Sequence, residues 1–176
     1  MREKEHFLTK YLIYAGIPPE KYPLVSADIY RENGKSLLVF SFVTALALME
    51  MFSLSYALED LRYARHVYFS AMVLTIVIFL LTHCVKNKKR PWAMLFNVYG
   101  YIAEMFCLGI MLGTVSRPQE PAVSFVALVL TVPLLFTDRP IRMVVAILLG
   151  CVAFGVTAVS VKDQRVLMGD IVNVCF

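Results

Sequence analysis

Long apolar runs separated by short charged segments dominate this chain. The runs cover residues 36–58, 66–85, 92–115, 122–137 and 143–161, and a shorter run covers residues 166–176. A helix rises about 1.5 Å per residue, so roughly 20 apolar residues cross the ~30 Å hydrocarbon core of a bilayer. Only 17% of the residues are charged, whereas soluble domains average about 25%. The pattern predicts an all-α, polytopic transmembrane helix bundle over residues 36–176 with five full spans.

The distribution of lysine and arginine predicts the orientation of the chain. Twelve of the 17 basic residues lie before the first run or in the loops after the second and fourth runs. Basic residues concentrate on the cytoplasmic side of membrane proteins, so the N-terminus is predicted to be cytoplasmic. Residues 1–35 contain no signal-peptide pattern. The spacing of Phe7, Leu8, Tyr11 and Leu12 predicts a short cytoplasmic helical segment there.

The last run, 166–176, is too short to cross a bilayer as a helix. We interpret it as the outer half of a truncated sixth span, which implies further chain on the cytoplasmic side. A short helix lying flat at the outer membrane interface is the alternative. Whether Phe176 is a natural end is left open by the sequence.

A few polar side chains inside the apolar runs are candidates for sensing a ligand or signal. They are Glu104, Glu50, Asp170, Asn97 and Asn173. Glu104 lies near the middle of the third run, where an ionisable group is costly. It either serves as a proton relay, cation relay or ligand contact, or bridges two helices as a protonated carboxyl. For Glu50, partial exposure at the membrane interface is the favoured interpretation. The alternative hypothesis is that Glu50 and Asp170, which lie at similar outer depth, form one outward polar pocket.

Small residues predict where helices approach one another closely. Gly109 and Gly113 form a GxxxG pair in the third run, and Gly150 and Gly155 belong to similar small-residue pairs in the fifth. Packing within the bundle is favoured over dimerisation, although a homodimer is left open. Pro133 is expected to kink the fourth span.

The loop after the second run is strongly basic, and it suits the headgroups of anionic lipids in the bilayer. Its basic residues are Lys86, Lys88, Lys89 and Arg90.

Several classes of function have no motif in this sequence. It contains no phosphate-binding glycine loop, no HExxH zinc motif, no nucleophile elbow and no CxxC pair. We therefore expect no catalytic residues, no metal, no cofactor and no nucleic-acid partner, and the chain as given is not expected to be an enzyme.

Two segments resemble a family of signalling proteins. They are "YLIYAGIPPEKYPLVSADIYRENGKSLLVFS" before and into the first run, and "LLFTDRPIR" between the fourth and fifth runs. Both are similar to the N-terminal membrane region of GGDEF-type diguanylate cyclases of clostridia-like bacteria. The resemblance implies a membrane sensor or anchor in the bacterial cytoplasmic membrane. It also implies that a cytoplasmic output domain making cyclic-di-GMP follows Phe176, although the GGDEF motif itself is absent from these residues.

A different class of function also fits the sequence. A small transporter or channel subunit would use the intramembrane carboxylates, above all Glu104. The sequence contains no internal repeat of the kind that many transporters show. The sensory module is therefore the first hypothesis, and the transporter is the alternative.

Overall fold

The computed structural model describes residues 17–18, 20–86 and 91–175 of the chain, and these are helical with no strand. The elements are α1 (Tyr22–Ala57), a 3₁₀ segment (Glu59–Ala64), α2 (Arg65–Val85), α3 (Pro91–Ile110), a π-helical turn (Met111–Val115), α4 (Val123–Leu135), α5 (Pro140–Val161) and α6 (Gln164–Cys175). The prediction of an all-helical fold is confirmed.

Four stretches of helix in the described residues are long and apolar enough to cross a membrane. They are Val25–Ala57, Glu59–Val85, Pro91–Val115 and Pro140–Val161. Their length and composition indicate a membrane-embedded protein, as predicted. The finer count of five full spans and part of a sixth stays a prediction, because α4 and α6 have only 13 and 12 residues.

Contacts between loops define two ends of the bundle. We call the end that holds residues 58–64, 116–122 and 162–163 the distal end, because side chains in these segments bond to one another. We call the end that holds residues 136–139 the proximal end; it also contains the beginning of α3. In the predicted orientation, the proximal end is cytoplasmic.

The fourth predicted span, 122–137, combines a short helix with extended chain. The 13 residues of α4 measure about 20 Å at 1.5 Å per residue. Residues 136–139 are not helical, and Phe136 has an extended backbone with φ −131° and ψ 139°. Four non-helical residues add at most about 13 Å. The segment therefore returns the chain from the distal to the proximal end although α4 alone is shorter than a full span. Pro133 lies two residues before the end of α4.

Helix α1 continues across the predicted boundary between the cytoplasmic segment and the first span. It begins at Tyr22 with a proline in its first turn, a position that tolerates the missing N–H group of proline. It then runs unbroken for 36 residues to Ala57. The predicted helix within residues 1–16 lies outside the described residues.

Helix α3 occupies the centre of the bundle. Half of its apolar 18-residue stretch is buried inside the protein, compared with 17–22% of the corresponding stretches in the other three spanning-length helices. Its side chains form the core with residues of α4 and α5, and Phe125 stacks on Phe154 with ring centroids 4.4 Å apart. The polar residues of α3 are therefore placed where they must find partners inside the protein.

The glycines of the third run lie at tight contacts with α4 and with the residue before it. A Cβ atom built on Gly109 would lie 3.1 Å from Cα of Phe125, and one on Gly113 would lie 3.2 Å from Cα of Ala122. Both contacts are with backbone, which cannot move aside easily. These two glycines therefore allow α3 to approach α4 and the loop before it.

Candidate functional site

A cavity of about 840 Å³ lies at the distal end of the bundle. Its walls come from α1, the 3₁₀ segment, α2, the end of α3 with its π-helical turn, and the beginning of α4. The deep wall is apolar and includes Leu48, Met51, Leu108 and Leu112. Ligand sites of small molecules typically have about 300–1,000 Å³ and combine an apolar wall with a few polar groups. The cavity has the size and lining of such a site.

Charged and polar side chains form the rim of this cavity. Arg117 donates from Nε to the hydroxyl of Tyr63 (2.7 Å) and from Nη1 to a carboxylate oxygen of Glu120 (2.8 Å). The hydrogen bond to Glu120, and then the one to Tyr63, raise the pKa of Arg117 above its ordinary value. Asp60 also lies on this rim. The bond to Tyr63 connects the 3₁₀ segment to the loop before α4, so a polar ligand entering here would compete with it.

A buried ion pair connects the rim to the last helix. Nζ of Lys162 lies 2.5 Å from a carboxylate oxygen of Asp170, and the two side chains are 0% and 1% exposed. Lys162 also donates to the carbonyl oxygen of Glu120 (2.7 Å), and the N–H of Ala122 donates to Asp170 (2.8 Å). Residues 120–122 are thus held by both members of the pair. Because Glu120 and Pro121 line the cavity, its wall is connected to α6 through Lys162 and through the neighbouring Ala122.

The structure does not bring the predicted pair Glu50 and Asp170 together. Glu50 is exposed on α1, and the partners of Asp170 are Lys162 and the N–H of Ala122. Neither acid lines the distal cavity. The side chain of Asn173 lies outside the described part of the structure.

Glu104 is buried between helices, with 4% of the residue exposed. The hydroxyl of Thr75 in α2 donates a hydrogen bond to Oε1 of Glu104. Oε2 is buried and has no hydrogen-bond partner within the described residues. Asn97 lies about two turns before Glu104 in α3, nearer the proximal end. It donates to the hydroxyl of Thr82 (3.3 Å). Both predicted polar residues therefore contact α2, a geometry that favours the helix-bridging alternative for Glu104.

The proximal end brings the two resemblance segments into direct contact. Asn33, from "RENGKSLL", donates to the carbonyl oxygen of Thr137 (2.7 Å) and accepts from its N–H (2.9 Å). Thr137 belongs to "LLFTDRPIR". Non-helical backbone in a membrane protein needs such partners, because its N–H and C=O groups lack helical bonds. The side chain of Asn33 supplies both partners to the extended chain after α4.

We expect Asn33→Ala to lower the free energy of unfolding by about 1–3 kcal/mol, because it leaves both backbone groups of Thr137 without this partner. Thermal unfolding in detergent micelles, followed by circular dichroism, measures the change. Glu32→Ala is the matched control: Glu32 is the exposed neighbour whose recorded ion pairs are on the surface, and such pairs contribute little. Equal stability of the two variants would contradict the role of Asn33.

Of the predicted lipid-contacting residues, Lys86 is exposed at the end of α2, whereas Lys88, Lys89 and Arg90 lie outside the described residues. Within the residues that the structure describes, no group of three or more His, Cys, Asp or Glu side chains could hold a metal ion.

Neither Lys162 as a partner of Asp170 nor the rim residues of the cavity were identified from the sequence. In the sequence, Lys162 looks like an ordinary charged loop residue that follows the fifth run. A lysine and an aspartate eight positions apart across a helix break do not share a helix face by spacing alone.

Comparison of the chain with protein-family models, with curated proteins and with solved structures finds no match.

Proposed function

We propose that this chain is the membrane sensory module of a bacterial signalling protein. In this proposal the distal cavity is the ligand site, and α6 passes its state to a cytoplasmic output domain that follows Phe176. The observation that carries the proposal is the cavity of about 840 Å³ whose rim segment, residues 120–122, is bonded to α6. Because buried charges join the pocket to the last helix, binding of a ligand in the pocket can change the position of that helix.

The coupling would run through two contacts. A ligand that enters the rim competes for Arg117 and displaces the loop that carries Glu120. Because Lys162 holds the carbonyl oxygen of Glu120 and also pairs with Asp170, a shift of this loop moves α6. A ligand changes such an equilibrium only by binding one arrangement more tightly than the other.

Two further parts of the proposal depend on the sequence. The excess of basic residues before the first run and in two loops supports a cytoplasmic N-terminus in the bacterial cytoplasmic membrane. The resemblance of two segments to GGDEF-type diguanylate cyclases supports cyclic-di-GMP synthesis as the output. In this proposal, dimerisation of the output domain sets its activity. Continuation of the reading frame past the Phe176 codon into an output domain is the first observation to make.

Filling the cavity tests the sensory role. Ala47 is an exposed α1 residue that lines the cavity. In the full-length protein, we expect Ala47→Trp to change cellular cyclic-di-GMP at least threefold, because the indole occupies the ligand volume. Ala57→Trp is the matched control: Ala57 is also exposed on α1 but lies outside the cavity, and we expect no change. An unchanged level in both variants would contradict the proposal.

The transporter alternative makes an opposite prediction for Glu104. Its buried Oε2, without a partner in the described residues, is the observation that favours this alternative. Under the sensory proposal, proteoliposomes containing the protein show no ion flux that depends on Glu104. A proton or cation flux that Glu104→Gln abolishes would replace the sensory proposal with the transporter alternative.

A further inference from the structure

A second concave site lies at the proximal end, on the outer surface of the bundle between α3 and α5. This groove has a volume of about 350 Å³. Leu95 of α3 and Val145 and Leu149 of α5 are among its apolar lining residues. Tyr99 and Arg142 are its two residues with polar groups. The groove therefore has an apolar lining and a guanidinium group near the beginning of α5.

Arg142 lies beside a buried acid in this groove. Its Nη1 lies 3.6 Å from a carboxylate oxygen of Asp138, whose side chain is 1% exposed, whereas 36% of the Arg142 side chain is exposed. Asp138 is also held by the hydroxyl of Tyr99, which donates to its other oxygen (2.7 Å). Asp138 and Tyr30, which also hydrogen-bonds Arg142, lie on one side of this partly exposed side chain.

The charge near the groove is positive on balance. Arg139 follows Asp138 directly and lies over the ring of Tyr22, 4.5 Å from its centroid. Two arginines therefore stand beside one aspartate at the beginning of α5. Guanidinium groups bind phosphate through paired N–H donors. An anionic headgroup complements this end of the groove.

We propose that the groove binds one acyl chain of an anionic phospholipid, and that Arg142 binds the phosphate of its headgroup. The groove belongs to two spanning-length helices, so its apolar lining faces the hydrocarbon of the bilayer. Basic residues beside grooves between transmembrane helices are sites for anionic lipid headgroups. This lipid site lies at the opposite end of the bundle from the distal cavity and does not depend on the proposed sensory function.

Native mass spectrometry of the purified protein tests the acyl-chain contact. The protein is reconstituted in vesicles of equal phosphatidylglycerol and phosphatidylcholine and then partly delipidated in detergent. We expect one retained phosphatidylglycerol, and at least a fivefold loss of it in Val145→Phe, which fills the groove. Val144→Phe is the matched control: Val144 and Val145 are 45% and 47% exposed, but only Val145 lines the groove. Equal retention in the two variants would overturn the proposal.

The headgroup contact has its own test in the same experiment. We expect Arg142→Gln to remove the preference for phosphatidylglycerol over phosphatidylcholine, because the phosphate loses its guanidinium partner. Arg31→Gln, at an exposed arginine on α1, is expected to keep the preference. If Arg142→Gln retains the anionic lipid as the wild-type protein does, or if the wild-type protein shows no preference, the proposed site is wrong.

Discussion

Replacing Asp170 by Asn is expected to lower the free energy of unfolding by about 3–5 kcal/mol, the range for breaking a buried ion pair by removing one partner. The side chain of Lys162 is fully buried. Its ammonium group would keep the carbonyl oxygen of Glu120 but lose the only carboxylate recorded beside it in the described residues. Thermal or denaturant unfolding in detergent micelles measures the loss.

Two further variants separate the effect of leaving a buried charge unpaired from other effects of a substitution in or near α6. Asp163→Asn removes an exposed acid from the connector before α6, and we expect a change of less than about 0.5 kcal/mol, as at ordinary surface positions. The double variant Lys162→Met with Asp170→Asn removes both charges, so we expect it to recover part of the stability lost in Asp170→Asn alone. If Asp170→Asn and Asp163→Asn unfold alike, the pair does not hold α6 to the bundle.

The sequence predicted most of the helices because apolar length is a local property. The runs 66–85, 92–115 and 143–161 correspond closely to α2, α3 with its π-helical turn, and α5. The extended chain after α4 was not predicted, because its partner, Asn33, lies 104 positions away. Interactions between residues so distant in sequence depend on the folded arrangement and leave no periodic pattern.

The sequence did not predict the partners of the polar candidates, for a related reason. Hydropathy gives the depth of a residue in the membrane but not its direction around the helix. Glu50 and Asp170 have similar predicted depth, yet Glu50 faces outward and Asp170 faces the loop before α4. Glu104 was found because a charge in the middle of a span is conspicuous. The distal cavity had no sequence signal, since its apolar lining looks like any other part of the runs.

Substitution of Gly150 in α5 is expected to have the second large effect on stability, and Gly155 in the same helix is its matched control. A Cβ atom on Gly150 would lie 2.6 Å from Cδ2 of Phe106. That ring is packed edge-on against Phe125, with centroids 6.1 Å apart, and Phe125 is itself stacked on Phe154. The ring of Phe106 therefore has little room to move. We expect Gly150→Ala to destabilise the bundle by about 1–3 kcal/mol, the usual cost of overpacking a core.

Gly155→Ala is expected to act in the opposite direction. Apart from its chain neighbours and the adjacent backbone of α5, no described atom lies within 4 Å of a Cβ built on Gly155, and alanine favours a helix over glycine by up to about 1 kcal/mol. Unfolding of both variants in detergent micelles and in lipid nanodiscs measures the difference. An equal loss of stability at both positions would contradict this account within one chain.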